Sequence, residues 1–501
     1  MTYASTTDTL RARGICVVIP TYNNAGTIGD VVSRTCRQCR DVIVVCDGCT
    51  DGTPDILRGM EGITLVVREK NGGKGAALKD GFRKAKSMGF AYAITLDADG
   101  QHFPEDIPAL LHANQKHPGA LVVGVREREA RSKGQGAGSK FANAFSNFWF
   151  ALQTWHRLED TQSGFRLYPL RKLCGIGLLT SRYEAELELL VFASWHGVEL
   201  VSVPVGVYYP KPEERVSHFR PVRDFSRIFV LNTVLCVLAV VYGLPRALWR
   251  WLMTFLRTAY SLLFFLLVVV FICPPYALYY RLFVRDEERR RMGMHRLLCF
   301  FARFVTLWHG IPGVRFSLGN PEGEDFGRPA IIIANHQSHL DLMTMLMHTP
   351  RLVCLTKDWV WNNRLYGYII RGAEFYPVSE GTESLMPKLR SLVERGYSIA
   401  VYPEGTREAD CKIMRFRQGA FYLAQQLDID VLPIVSYGTG KALPKRGKYL
   451  RKWPIRVEID RRISPQELLT FGETPRQQAS KMRKYFERRY AEMANRIEQD
   501  V

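Results

Sequence analysis

Acidic side chains are in short supply in this chain. There are 49 Asp+Glu against 68 Lys+Arg, a formal charge of +19 over 501 residues. Such a field disfavours cationic partners and favours anionic ones, either nucleic acid or an acidic membrane surface. An N-terminal apolar run is also missing, since MTYASTTDTLRARG contains none, so no secretory signal is expected. Internal repeats and low-complexity tracts are absent as well. What is present is a globular composition, 47% hydrophobic and 23% charged, which excludes wholesale disorder. At roughly 150 residues per domain, the length allows about three domains and more than one core.

The 11 cysteines lack a regular spacing except in one place. Cys36, Cys39, Cys46 and Cys49 form two C-x2-C pairs, a pattern that can bind zinc. The residues between them, DVIVV, read as a buried strand, which would hold the pairs about 15–20 Å apart. Four zinc ligands must each lie within about 2.3 Å of the metal, so reduced thiols are the better expectation.

Three stretches differ in character, and the expected domains are 1–227, 228–291 and 292–501. In the first, short apolar runs at 15–20, 42–45, 64–68 and 91–96 each precede a turn rich in Gly, Asp or Asn, the mark of a mostly parallel α/β sheet. The middle stretch is apolar, with IFVLNTVLCVLAVVYGLP, then RALWRWLMTFLR, then AYSLLFFLLVVVFICPPYALYY. Each apolar piece approaches the ~20 residues of a spanning helix. Asn232 interrupts the first, and Pro274 and Pro275 the second. Trp249, Trp251, Tyr276, Tyr279 and Tyr280 suit an interfacial belt. A half-immersed helical hairpin is expected, because it keeps Arg246, Arg250, Arg257 and the arginines of 281–291 on the cytoplasmic face. The third stretch is again α/β, with strands expected at 330–334, 399–402 and 431–435 and a helix at 385–395.

The first chemical constellation lies in 1–227. Asp97-Ala98-Asp99-Gly100-Gln101 follows the strand AYAIT, and two carboxylates one residue apart can hold a divalent ion against a diphosphate. Pro20-Thr21-Tyr22 closes the first strand, and Cys46-Asp47-Gly48-Cys49-Thr50-Asp51 the second. Asn71-Gly72-Gly73-Lys74-Gly75 opens a helix, where amides and a lysine can meet an anion. Asp160-Thr161-Gln162-Ser163-Gly164-Phe165-Arg166 comes last. Glu184, Glu186 and Asp160 are candidate general bases for a hydroxyl acceptor; a solvated helical face is the alternative reading for the two glutamates.

In this order, over about 14–227, these motifs resemble glycosyltransferase family 2, of the dolichyl/polyprenyl-phosphate sugar synthase type. The resemblance implies a GT-A-type fold, a nucleotide-sugar donor and Mg2+ or Mn2+. It places Pro20, Tyr22, Asp47 and Asp51 at the nucleotide and Asp97, Asp99 and Gln101 at the metal and diphosphate. Lys74, Arg126 and Arg166 then face phosphates. Cys46-Asp47 stands where the family usually has paired aspartates, and the loop 127–140 lacks the usual acceptor-loop pattern.

The second constellation lies in 292–501. His336-Gln337-Ser338-His339-Leu340-Asp341 follows the strand AIIIA, so His336 and Asp341 can form a dyad in which the carboxylate supports an imidazole base. Glu404-Gly405-Thr406-Arg407 also follows a strand, where an arginine fork and backbone amides suit a phosphate or carboxylate. This set, over about 297–462, resembles the glycerolipid acyltransferases that include lysophosphatidic acid acyltransferases. It implies an acyl-CoA or acyl-carrier-protein donor, His336 as base, Asp341 as its partner, and Glu404, Gly405, Thr406 and Arg407 at the acceptor. No arginine follows Phe375 in the Gly372–Val378 stretch, where the family often has one, and His339 is read as structural.

The combined expectation is an α/β protein with a GT-A-type domain, central membrane-associated helices and an α/β acyltransferase domain. It would glycosylate and acylate a lipid acceptor at the inner (cytoplasmic) membrane, with both domains facing the cytoplasm; the alternative readings are a polyprenyl-phosphate glycosyltransferase whose acyltransferase domain acts on a separate lipid, or an inactive sugar-binding domain serving the acyltransferase. Fusions of this kind resemble those of bacterial aryl-polyene pigment and glycolipid pathways. A nucleic-acid partner is not expected, because the basic residues cluster beside the apolar stretch and within 441–456 and match no nucleic-acid-binding motif.

Overall fold

The computed structural model describes residues 6–126, 137–209, 221–307, 311–365 and 367–498. It divides into two compact units, Met1–Arg250 with Ile497–Val501, and Trp251–Arg496.

The first unit is built on a seven-stranded sheet. Its strands are β1 (Ile15–Thr21), β2 (Val42–Asp47), β3 (Ile63–Arg68), β4 (Tyr92–Thr95), β5 (Leu121–Arg126), β6 (Arg166–Pro169) and β7 (Leu200–Val205), in the order β3-β2-β1-β4-β6-β5-β7. All pairings are parallel except those of β6 with β4 and β5. Every residue of β1 and β2 is buried. That is why both read as unbroken apolar runs: a parallel strand covered on two faces has no polar side to show. Helix Lys74–Ser87 lies close against this sheet, and a Cβ at Gly81 would sit 2.5 Å from Val18 Cγ1. Strand order reverses between β1 and β4, and the ends of β2, β1 and β4 lie side by side there. Ligands enter open α/β sheets at such a switch point.

Cys39 Sγ lies beside the carbonyl of Ile15, at the start of β1, and Cys49 Sγ beside that of Thr21, at its end. The two C-x2-C pairs therefore occupy opposite ends of a strand.

The second unit holds another seven-stranded sheet. Its strands are β8 (Phe316–Gly319), β9 (Ala330–Ala334), β10 (Leu352–Thr356), β11 (Tyr376–Pro377), β12 (Ser398–Val401), β13 (Asp430–Tyr437) and β14 (Ile455–Ile459), in the order β11-β10-β12-β9-β13-β14-β8. β9 is central, wholly buried, and parallel to both neighbours.

The stretch expected to form a hairpin is instead one helical run, Ser226–Phe283, 58 residues long, and is long and apolar enough to cross a membrane. The expected break at the prolines is absent for a physical reason. Pro245 follows a π-helical turn, Ala239–Gly243, and Pro274 and Pro275 follow a second, Val268–Ile272. A wider i→i+5 turn absorbs the missing proline N–H and the ring's clash with the preceding turn, so the helix continues. Three arginines of this run are bound to protein. Arg250 donates to the Trp195 carbonyl, and Arg246 stacks on Tyr242 with 5.0 Å to the ring centre. In the second unit, Arg257 Nε donates to the Pro312 carbonyl at 2.7 Å.

Candidate functional site

The sugar-nucleotide residues gather at the strand ends of the first unit. Lys74, the first residue of its helix, reaches Asp97 Oδ1 at 2.7 Å and Glu186 Oε2 at 2.8 Å. Burial works against a charge on Lys74, but the two carboxylates win and hold its pKa above the usual value. Burial likewise opposes the Asp97 charge, and Lys74 prevails, keeping that carboxyl below its ordinary range. Asp99 behaves oppositely: burial and then the nearby Asp97 push it up to about 6. Two carboxylates that repel each other in this way suit a divalent cation, so Asp97 and Asp99 fit the ion that the resemblance implies. Gln101 adjoins them, its N–H donating to Asp99 Oδ1 at 3.0 Å. Among the described residues no three His, Cys, Asp or Glu side chains are already grouped as a cation site.

Several expected contacts are placed differently. Asp47, buried at the end of β2, accepts the N–H of Gly72 at 2.9 Å and of Gly73 at 2.8 Å, and pairs with Arg68. It shapes the glycine loop before Lys74. Asp51 accepts from Ala25 and Thr53 N–H groups, which hold its carboxyl low against some burial. Arg166 does not face the cleft: it is 0% exposed and donates to Tyr168 Oη and the Glu186 and Thr161 carbonyls. Its role is to brace the motif it ends. Arg126 makes a two-pronged pair with Asp160 at 2.6 and 2.9 Å, which engages that candidate base. Glu184 is buried in the first turn of helix Glu184–Trp195, and it is Glu186, two residues on, that joins Lys74. Pro20 is buried within β1, and Tyr22 is partly exposed just beyond it. Of the atypical loop 127–140, residues 127–136 lie outside the described residues.

His102 went unnoticed in the sequence. Its ring is 6% exposed and its Nδ1 has no hydrogen-bond partner, while burial presses its pKa down to about 4. The only local signal was its position, one residue past Gln101.

The acyl-transfer residues converge in the second unit. His336 lies two residues past β9. Its Nδ1 is 3.0 Å from Asp341 Oδ2, which also accepts the Gln337 and Ser338 N–H groups. Asp341 is 1% exposed, so its charge is spent on those donors. The imidazole stacks on Tyr402 with ring centres 4.3 Å apart. With Nδ1–H directed at the carboxylate, Nε2 is left as the proton acceptor.

Glu404 was expected at the acceptor. Instead it is 3% exposed and accepts the N–H of His336 and of Met414, each at 2.8 Å. Burial pushes its pKa up to about 7. It fixes the loop carrying the base. Gly405 takes a positive φ of 68°, with the Arg417 guanidinium 3.1 Å from where a Cβ would stand. Gly405, Thr406 and Arg407 line a cavity of about 1160 Å3 together with His336. Its walls are largely apolar, with Phe264, Leu297, Phe301 and Leu389 among them, and Arg417, Lys445 and Lys448 add positive charge. His339, expected to be structural, also lines this cavity.

Comparison with known proteins matches the two halves separately. The glycosyl transferase family 2 model matches residues 16–172, and the acyltransferase model residues 315–437. A UDP-N-acetylglucosamine–dolichyl-phosphate N-acetylglucosaminyltransferase of Methanococcus voltae is 29% identical over 215 residues, 39% of this chain and 86% of its own length. The 1-acyl-sn-glycerol-3-phosphate acyltransferase beta of Homo sapiens is 29% identical over 178 residues, 34% of this chain and 64% of its own. The chain thus spans a little under two thirds of that acyltransferase. The crystal structure of a 1-acyl-sn-glycerophosphate acyltransferase from Thermotoga maritima aligns with 49% of this chain and 96% of its own, at 21% identity and a TM-score of 0.40. The chain therefore carries a glycosyl transferase family 2 domain in its first unit and an acyltransferase domain in its second.

Proposed function

We propose that this protein transfers a sugar from a nucleotide-sugar and an acyl group from a thioester to one lipid acceptor. The observation that carries this reading is the acyl cavity: a supported histidine base opens into an apolar space of about 1160 Å3 edged by Arg407, Arg417, Lys445 and Lys448. Apolar walls suit an alkyl chain, and the cations suit phosphate or diphosphate oxygens.

In acyl transfer, His336 Nε2 takes the proton from the acceptor hydroxyl as that oxygen attacks the thioester carbonyl. The C–O bond forms, the C–S bond breaks, and the proton passes from the imidazolium to the departing thiolate. Asp341 holds the ring in the tautomer this requires and stabilises the cation that forms. In sugar transfer, a divalent ion held by Asp97, Asp99 and Gln101 would supply charge neutralisation for the leaving nucleoside diphosphate. Lys74 keeps Asp97 ionised and fixed, while Asp47 and Asp51 order the loops through which the nucleotide enters. Glu186 anchors Lys74 from the opposite side.

Nucleotide-sugars and acyl thioesters are cytosolic donors, which supports a setting at the cytoplasmic membrane with both domains facing the cytoplasm. The proposed pathway class is bacterial glycolipid or aryl-polyene-type pigment synthesis. The test uses the purified full chain, bacterial lipid extract, acyl-CoA or acyl-carrier protein with a labelled chain, and labelled nucleotide-sugars beginning with UDP-N-acetylglucosamine. One product carrying both labels supports the reading, and two separate singly labelled lipids overturn it.

A further inference from the structure

We propose that Cys46 and Cys49 are a thiol–disulfide switch: a low-molecular-weight disulfide such as oxidised glutathione joins them, and the new bond deforms the glycine loop before Lys74 and halts sugar transfer. The proposal rests on the reading that this loop serves a nucleotide-sugar. It gives the C-x2-C pair at the end of β2 a role other than zinc ligation.

The first ground is proximity. Cys46, 0% exposed, shares one face of β2 with Val42 and Val44. The chain then turns at Gly48, where φ is 66°, and Cys49 packs against the same apolar cluster. Cys46 stands opposite Thr21 in the β1–β2 register, and Cys49 Sγ donates to the Thr21 carbonyl at 3.6 Å. Both sulfurs thus lie on one side of the sheet, at the end of one strand. Cys49 is partly exposed, so a small disulfide can reach it, whereas Cys46 is sealed behind it. Burial, and then its hydrogen bond to Cys46, pushes the Cys49 thiol up to about 12. A thiol held protonated reacts slowly at neutral pH, so the pair withstands brief oxidation and responds to sustained disulfide stress.

The second ground is what the turn touches. A Cβ at Gly48 would stand 2.4 Å from the backbone nitrogen of Asn71, so the turn and the glycine loop meet backbone to backbone. Asp47, between the two cysteines, accepts the N–H groups of Gly72 and Gly73. Asp51, two residues past Cys49, accepts those of Ala25 and Thr53. A disulfide draws its sulfurs to about 2 Å, closer than unbonded sulfurs approach. The turn must tighten to allow it, and Asp47 carries that displacement into the loop that leads to Lys74.

The exchange takes two steps. Cys49 gives its proton to solvent, and its thiolate attacks one sulfur of the small disulfide. A new S–S bond forms, the old one breaks, and the departing thiolate takes up a proton. Cys46 then loses its proton and attacks Cys49 Sγ, which releases the second thiol. Two electrons pass from the cysteine pair to the small disulfide, which leaves as two thiols. Excess reduced thiol reverses both steps, as with the transient disulfides by which cytosolic proteins sense redox state.

The test uses the full chain, reduced, freed of reductant and held with oxidised glutathione at mildly alkaline pH before free thiols are alkylated. Peptide mass spectrometry should find Cys46 joined to Cys49, two hydrogens lighter than the dithiol, and dithiothreitol should reverse it. Sugar transfer should fall about 100-fold, the cost of a displacement near 1 Å, while acyl transfer is unchanged. Cys49→Ser should lose no sugar transfer under the same treatment; an equal loss there assigns the effect to another thiol and overturns the proposal. A glutathione adduct on Cys49 as the end product, or no modification of either cysteine, overturns it as well. Hydrogen exchange at the Gly72 and Gly73 amides should quicken in the linked protein, because Asp47 holds them less firmly, and unchanged exchange refutes the coupling to the loop. Linkage and amide exchange are read without any sugar donor, so both decide the inference even if no sugar transfer is found.

Discussion

Adding one methyl group at Gly164 probes the sugar-nucleotide site at its tightest point. A Cβ there would stand 2.4 Å from Asp97 Oδ2 and 2.7 Å from Lys74 Nζ. Non-bonded heavy atoms prefer about 3.5 Å, so the overlap is about 1 Å. Neither partner can yield freely, since Lys74 is held at 2.7 Å by Asp97 and at 2.8 Å by Glu186. The backbone cannot retreat either, because the Thr95 hydroxyl donates to the Gly164 carbonyl at 2.6 Å. No left-handed φ is involved at this residue, so the effect of Gly164→Ala is purely steric. A displacement near 1 Å at a reacting centre costs on the order of 100-fold in rate. Gly177→Ala is the control, as nothing lies within 4 Å of its Cβ position. Sugar and acyl transfer are assayed on the same preparations with labelled donors. The expectation is a roughly 100-fold loss of sugar transfer for Gly164→Ala, acyl transfer within twofold of wild type, and no effect of Gly177→Ala. Sugar transfer within threefold of wild type in Gly164→Ala would refute the placement of chemistry at the Lys74–Asp97 pair.

Other perturbations address the second unit. His336→Ala should lower acyl transfer by about 10²–10⁴-fold and Asp341→Asn by somewhat less, with sugar transfer preserved in both, as read by donor-specific assays. Glu404→Gln turns an acceptor of two backbone N–H groups into a side chain that can serve only one of them well, at a cost of about 1–3 kcal/mol. A lower melting temperature and weakened acyl transfer should appear together, and an unchanged melt would contradict the anchoring role. His295, 2% exposed, has its pKa pressed down to about 4 by burial. Between pH 6.5 and 4 the unfolded chain therefore takes up a proton that the fold refuses. The contribution of neutral His295 is complete above pH 6.5 and is lost as pH falls through that window, about 2 kcal/mol by pH 5. Melts of wild type and His295→Phe from pH 7.5 to 5 should show a shallower acid loss in the variant, and parallel slopes would contradict it.

The parts of the fold legible in the sequence were those where burial on both faces writes an apolar run. β1, β2, β4, β9 and β13 are of this kind, and β4 runs into the D-x-D segment as β9 runs into the H-x4-D segment. β6 was not legible: RLYP holds a buried arginine whose hydrogen bonds, and no apolar pattern, justify its place. β7, LVSVPV, is an edge strand that tolerates a proline, and β14 alternates with Arg456 and Glu458, so neither gives a continuous run. The central prolines read as breaks because a π turn before a proline leaves no sequence signature. Within the sites, local spacing pairs His336 with Asp341, whereas the choice of Glu186 over Glu184 depends on the phase of a helix against Lys74. Arg417, Lys445 and Lys448 reach the acyl cavity from segments far along the chain, a convergence that only the packed sheet produces.

The central claim is that two transferases act on one lipid, and comparative lipid mass spectrometry tests it most directly. Cells carrying wild type, Asp99→Ala or His336→Ala are extracted and compared. The account predicts one lipid family, lacking a sugar in the Asp99→Ala cells and lacking an acyl chain in the His336→Ala cells, with the intermediate of the earlier step accumulating. Changes in two unrelated lipid families, or an effect of only one variant, would contradict it.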